Sequence, residues 1–252
     1  LVSGKRAALE REGVSRGKVG DTSFDASWHL AHPFVDLPPY RYLAERFSPS
    51  SVLDVGCGLG ATLLYLQSLA ACRIMGIDGF PGRDALLPEG AYEQHDLSES
   101  FDAGGPFDLV ICTEVAEHLP AAAADALLAT LARHALDLIL FSAAEPGQPG
   151  VEHITCRPIE HWLARWRGLG WEPDVFATLA FRSLSSLSWL RRNPLLLRRA
   201  VDSPRVEARG LPDLTHIGER RYRWYTQKAK VYDYPFSEDP PADLYPDDQS
   251  GE

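Results

Sequence analysis

The sequence predicts an α/β fold, doubly wound about a mostly parallel sheet. Apolar runs and amphipathic stretches alternate from about residue 40, the first run turns into a helix through a glycine-rich loop, and no internal repeat is evident. Strands alternating with helices imply a parallel sheet covered on both faces.

The elements follow in order. SVLDV (51–55) is a short apolar strand, and ATLLYLQSLA after its glycine turn has helical spacing. CRIMGID (72–78) is a second strand, AYEQHDL (91–97) a third and FDLVICT (107–113) a fourth. An Ala/Leu-rich helix over 121–135 leads into LDLILFSA (136–143), the fifth strand. RPIEHWLARWRGL (157–169) is an amphipathic helix closed by Gly170, and WEPDVFATLAFR reads as the sixth strand. The apolar, Arg-rich stretch 183–201 is broken at Pro194 and reads as two short helices, with a last strand near RYRWYTQKAKVYDY (221–234). The expected organisation is an N-terminal segment, 1–39, and a main domain, 40–236, with a helical insertion at 183–219 before its last strand. An acidic, proline-containing tail, 237–252, is expected to be disordered. The Arg-rich stretch suits a helical lid with solvated arginines, or a surface that meets anionic or lipid-linked acceptors.

The chain has 252 residues, 45% hydrophobic and 24% charged, enough to bury a sizeable core. A formal net charge of −10 argues against a broad nucleic-acid surface, which needs clustered Lys and Arg. Cys57, Cys72, Cys112 and Cys156 include no C-x-x-C pair and read as reduced thiols rather than disulfides or zinc ligands. No apolar leader core and no bilayer-length segment is evident, so a cytoplasmic enzyme is the expectation. Nothing in the sequence indicates an oligomeric state.

VLDVGCGLGA places Asp54, Gly56, Gly58 and Gly60 where the first strand becomes a helix. Glycines there let the backbone approach a ligand, and the helix start offers free amides. Gly56-x-Gly58-x-x-Ala61 also fits a dinucleotide fingerprint loosely. Asp78, ending the second strand, suits a ribose in either case. Two further acids separate the alternatives. Asp54 would repel a pyrophosphate but suits the cationic part of a ligand, and Asp96 suits an adenine amino group.

This combination resembles the class I S-adenosylmethionine-dependent methyltransferases. The likeness runs from about Tyr40 to Arg182, with the blocks LDVGCGLG, GID, HDL and FDLVICTEVAEHL in the expected order. The resemblance implies a Rossmann-like sheet of seven strands, the last antiparallel, with S-adenosylmethionine across the carboxyl ends of strands one to four. It also implies that Gly56, Gly58 and Gly60 line the amino-acid part of the cofactor and Asp78 holds the ribose. Asp96 with Leu97 would hold the adenine, and Gly79 and Thr113 would be secondary contacts.

TEVAEHLP (113–120) follows the fourth strand and so falls beside the expected methyl group. On a helical turn, Glu114, Glu117 and His118 would share one face. An E-x-x-E-H-L segment is widespread in this superfamily, and in two groups of O-methyltransferases it resembles a divalent-metal site. In the RNA-modifying one of these, a histidine after the fifth strand completes the set, and His153 in GVEHITCRP is its counterpart here. Glu114, Glu117, His118 and His153 would then bind Mg²⁺, Mn²⁺ or Zn²⁺, the oxygens favouring the harder ions. Without a metal, His118 or His153 would be the catalytic base with Glu114 and Glu117 orienting it, or the segment would only brace the loop. FDASWHLAHPF (24–34), with His29 and His32, reads as a lid or as a packing segment.

The expected activity is methylation of a hydroxyl on a small molecule, sugar or natural product, the acceptor being free or lipid-linked. N- or C-methylation and a non-catalytic partner subunit are the alternatives, and an NAD-dependent oxidoreductase the last. A monomer that turns over a hydroxyl acceptor would exclude the partner subunit.

Overall fold

The computed structural model describes residues 29–30, 35–79, 81 and 85–200. Helix α1 (Leu37–Phe47) begins on two prolines, whose fixed φ suits the first helical turn, and buries a stripe of Tyr40, Leu43 and Ala44. Then follow β1 (Ser51–Val55), α2 (Ala61–Leu69), β2 (Arg73–Asp78), β3 (Tyr92–Gln94) and β4 (Phe107–Thr113). The second half runs α3 (Ala121–His134), β5 (Ala135–Ser142), α4 (Ile159–Gly168), β6 (Trp171–Pro173), α5 (Val175–Leu184), α6 (Ser188–Arg192) and β7 (Leu195–Arg199).

The seven strands form one sheet in the order β3-β2-β1-β4-β5-β7-β6. The first five are parallel, and β7 is antiparallel to both β5 and β6. The core lies on both faces. Phe107, Leu131, Trp162, Trp166 and Trp171 fill the face carrying α3 and α4. Tyr40, Leu63, Leu66, Phe181 and Leu190 fill the face carrying α1, α2 and α5. Each buried Leu or Phe contributes about 1.5–3 kcal/mol relative to exposure. Successive strands reverse direction along the sheet at β1, between β2 and β4. Ligands in open parallel sheets settle outside the carboxyl ends at such a point.

Three expectations about the elements are corrected. The sixth strand is only Trp171–Pro173, because Asp174 accepts a hydrogen bond from the Ala177 amide at 3.0 Å and starts a helix. Ala177, Thr178, Phe181 and Arg182 are then buried at helical spacing. The stretch 183–201 holds one short helix, α6, and not two. Past Pro194, Leu195, Leu196 and Leu197 are at most 1% exposed because β7 lies between β5 and β6, a position that demands an unbroken apolar run. Among the described residues the sheet already has seven strands; 221–234, the tail, His32 and most of the N-terminal segment lie outside the described residues. Third, Glu114, Glu117 and His118 do not share a helical face. Glu114 sits at φ +56°, and only Ala116–His118 forms a 3-10 turn.

Among the described residues no helix is long and apolar enough to cross a membrane. Cys72 and Cys112 are buried, Cys57 and Cys156 half-buried, and all four are free thiols.

Candidate active site

The carboxyl ends of β1 and β2 are joined through backbone. The Gly56 amide donates to the Ile77 carbonyl at 2.8 Å, and Asp78 accepts from the Gly58 amide at 2.8 Å and the Gly79 amide at 2.7 Å. Gly56 is at φ +77°, and a Cβ on it would lie 2.2 Å from Val115 Cγ2, so the β1 loop and the β4 loop touch only because that residue is glycine. Asp54, one strand in, is buried and accepts no hydrogen bond among the described residues. Burial, and then the Asp78 charge, push its carboxyl up from an ordinary 3.8 to about 8. Burial raises Asp78 to about 6, against the two amides that favour its charged form.

The β4 loop forms the middle of the site. Glu114 is held in its left-handed conformation by Ser142 Oγ at 2.8 Å, Gln148 Nε2 at 2.6 Å and Asn193 Nδ2 at 3.1 Å, all donating to its carboxylate. Such a conformation costs a non-glycine residue on the order of 1 kcal/mol or more, which these bonds offset. Glu117 is fully buried, with its carboxyl close enough to Glu114 to interact with it. One oxygen accepts from the Ala144 amide at 3.0 Å, and Oε2 has no donor. Burial first, and the Glu114 charge second, hold the Glu117 carboxyl well above the usual range.

The two histidines meet edge to face with ring centroids 4.9 Å apart. His118 Nδ1 donates to the Glu152 carbonyl at 3.3 Å and His153 Nδ1 to the Gln148 carbonyl at 3.2 Å. Carbonyls only accept, so each ring carries its proton on Nδ1 when neutral. Burial, followed by the neighbouring His153, lowers His118 to about 4. The His153 ring rests on Gly150, where a Cβ would come within 2.0 Å of Nε2.

One cavity of about 420 Å³ joins these parts. Of the residues singled out in the sequence, it brings together Asp54, Gly56, Gly58, Asp78, Thr113, Glu114, His118 and His153, and His29 reaches it as well. Gly60, Gly79, Asp96, Leu97 and Glu117 lie outside its lining. Gly60 packs on Leu87, and Leu97 is 1% exposed in the core. Asp96 is exposed and its Oδ1 accepts from the Ser98 amide and hydroxyl. Tyr40 and Gln148 also line the cavity, and sequence reasoning missed both. Tyr40 is buried, bonded to Thr113, and its phenol is pushed upward by burial first and then by Asp54.

A family model described as a methyltransferase domain matches residues 28–193, which span α1 to α6 and every described residue of the cavity lining. The chain belongs to the class I S-adenosylmethionine-dependent methyltransferases. Among solved structures it is similar to a sugar N-methyltransferase from a Streptoalloteichus species. That match has 19% identity and a TM-score of 0.54, covering 74% of this chain and 95% of the other. It is also similar to an S-adenosylmethionine-bound amino pentose methyltransferase of calicheamicin biosynthesis from Micromonospora echinaspora. There the identity is 16% and the TM-score 0.50, over 69% of this chain and 95% of the other. At such identities the likeness is one of fold. No curated protein matches the sequence.

Asp54 is a buried acid lacking a partner among the described residues, beside glycines that leave room for a ligand. Because its free pKa is about 8, a cation beside it drives out its proton. With the S-adenosylmethionine charge placed beside Asp54, as the sequence reading expects, its affinity should rise with pH up to about 8, by at most about tenfold per pH unit, and then level off. Calorimetry in buffers of different ionisation enthalpy measures the released proton directly. In the cofactor-free methyltransferase both carboxyls are raised above their unfolded value. Their stability contribution is thus complete below about pH 4 and is lost as pH climbs through about 6 for Asp78 and about 8 for Asp54.

Proposed function

We propose that the methyltransferase alkylates a hydroxyl oxygen on a sugar or other natural-product small molecule, with His153 as general base. One observation carries this reading. His153 faces the cavity with Nδ1 donated to the Gln148 carbonyl, which leaves the lone pair on Nε2, and Nε2 has no hydrogen bond among the described residues. S-adenosylmethionine supplies a methyl carbon on a cationic sulfur, so transfer is an in-line displacement that needs alignment and a deprotonated nucleophile. Asp78 and the Gly56–Gly58 loop position the donor, and Asp54 meets its positive charge. Tyr40 and Thr113 close the wall beside them. His153 removes the hydroxyl proton, while Glu114 and Gln148 hold its loop in register with β4. The likeness in fold to two sugar-modifying enzymes supports the acceptor class.

A second reading has one observation in its favour. Glu117, His118 and His153 offer ligand atoms within 4.8 Å of one another, and Glu117 Oε2 is buried without a donor. Glu114 falls out of the expected four-ligand set, since Ser142, Gln148 and Asn193 occupy it. One carboxylate and two imidazoles suit Zn²⁺ or Mn²⁺ better than Mg²⁺, and an ion held there would lower the pKa of an acceptor hydroxyl.

Both readings meet one experiment. Turnover of a hydroxyl-acceptor panel with matched amines is followed by mass spectrometry, with and without chelator, alongside metal analysis of the purified protein. The base reading expects full activity in chelator and products carrying oxygen-bound methyl. Activity lost in chelator and restored by Zn²⁺ or Mn²⁺, with one bound ion per chain, would establish the metal reading. Methylation confined to the amines would overturn oxygen as the acceptor.

A further inference from the structure

The cavity has two chemically different ends, and the sheet order separates them. β2, β1 and β4 supply the polar end through Asp78, Asp54 and Thr113. β5 and β7 lie on the far side of β4. The segments attached to them supply Pro149, Val151, Leu187, Trp189 and Leu190, with Gln148 and His153 as the polar groups among them. Leu190 is buried, and Leu187 and Trp189 pack on the cluster that holds Tyr40 and Phe181, so this wall is anchored. Asp36 anchors it further, accepting from the Ser186 amide at 2.8 Å and so tying the start of α1 to the turn before α6.

The rim continues the same character. Val151 is 55% exposed and Ile154 59% exposed, one on either side of the Glu152–His153 pair. Charge points the same way. Among the described lining residues the acids are Asp54, Asp78 and Glu114, and there is no lysine or arginine. Arg192, beside the loop, already pairs with Glu145 at 3.4 Å and donates to Gln148 Oε1 at 3.3 Å.

We propose that this end of the cavity takes an acceptor with an apolar, ring-bearing body and no phosphate or other anionic group. The reactive hydroxyl projects from that body towards His153. The assignment rests on the methyl-transfer reading of the site and adds the class of acceptor. It also orders the chemistry. Methylation follows assembly of the apolar molecule and does not act on a phosphate-activated sugar.

Three uncharged or charged probes test it on the full chain saturated with S-adenosylhomocysteine: phenyl β-glucoside, methyl β-glucoside and glucose 1-phosphate. Calorimetry is expected to show the phenyl glucoside binding about tenfold or more tighter than the methyl glucoside, the scale set by burying a ring. Glucose 1-phosphate should not bind. Val151→Ser, a change on an exposed loop, and Trp189→Ala should each cut the preference several-fold and leave S-adenosylhomocysteine affinity unchanged. Equal affinity for the two glucosides, preference for glucose 1-phosphate, or no binding of any probe overturns the assignment. Failure of S-adenosylhomocysteine itself to bind would instead defeat the underlying reading of the site.

Discussion

Asp78→Asn is expected to weaken S-adenosylmethionine binding by about 30-fold to 100-fold, and it will cost the free protein about 1–3 kcal/mol. The two effects share a cause. Both carboxylate oxygens already accept backbone amides, from Gly58 at 2.8 Å and Gly79 at 2.7 Å, and the residue lines the cavity. An amide in place of the carboxylate turns one acceptor into a donor, so one of those glycine N–H groups faces another N–H in a buried site. The β1 loop then keeps only its Ile77 bonds to β2, and a ribose seated at Asp78 would lose a charged acceptor. Calorimetry gives the affinity and thermal unfolding the stability. An Asp78→Asn protein that binds as wild type would show that the loop is held by its Ile77 bonds alone.

His153→Gln should lower kcat by about 10²-fold to 10⁴-fold with little change in the affinity for S-adenosylmethionine, the range for losing a positioned base. Gln cannot take the hydroxyl proton; its amide overlays Nε2 rather than Nδ1, so His153→Asn, whose amide can still donate to the Gln148 carbonyl, is the companion variant that keeps the loop bond. Gly150→Ala is expected to act in the same direction by a different route. The added Cβ would sit 2.0 Å from His153 Nε2 and 2.1 Å from Cε1, so the ring must move off its position. Steady-state kinetics on these variants separates base from bystander. If all keep wild-type kcat, proton removal does not depend on His153.

Much of this was legible in the sequence because it depends on local order. The alternation of apolar runs with helices, the glycines after SVLDV and the acids ending the strands all express short-range geometry, and the structure places them at one edge of the sheet. The misreadings occur where tertiary position overrides local signals. LLL at 195–197 follows a proline and precedes arginines, which suggests the end of a helix; only its place between β5 and β6 makes it a strand. VFATLAF looks like a strand until Asp174 is seen to cap it. Glu114 and Glu117 look equivalent by spacing, but with Glu114 in the left-handed region the first lines the cavity and the second is fully buried. The roles of Gln148 and Asn193 depend on contacts with a carboxylate 34 and 79 residues away, and no periodicity reports such distances. The Gly/Pro-rich composition of the loop around Gln148 marks it as a pocket segment without distinguishing that residue.

The most direct test of the account is a calorimetric titration of the folded chain with S-adenosylmethionine at neutral pH, repeated with NADH. The site built from Asp54, the Gly56–Gly58 loop and Asp78 predicts one S-adenosylmethionine bound per chain, with release of a proton, and no binding of NADH. Folded protein that takes up NADH, or that gives no heat with S-adenosylmethionine, would contradict it.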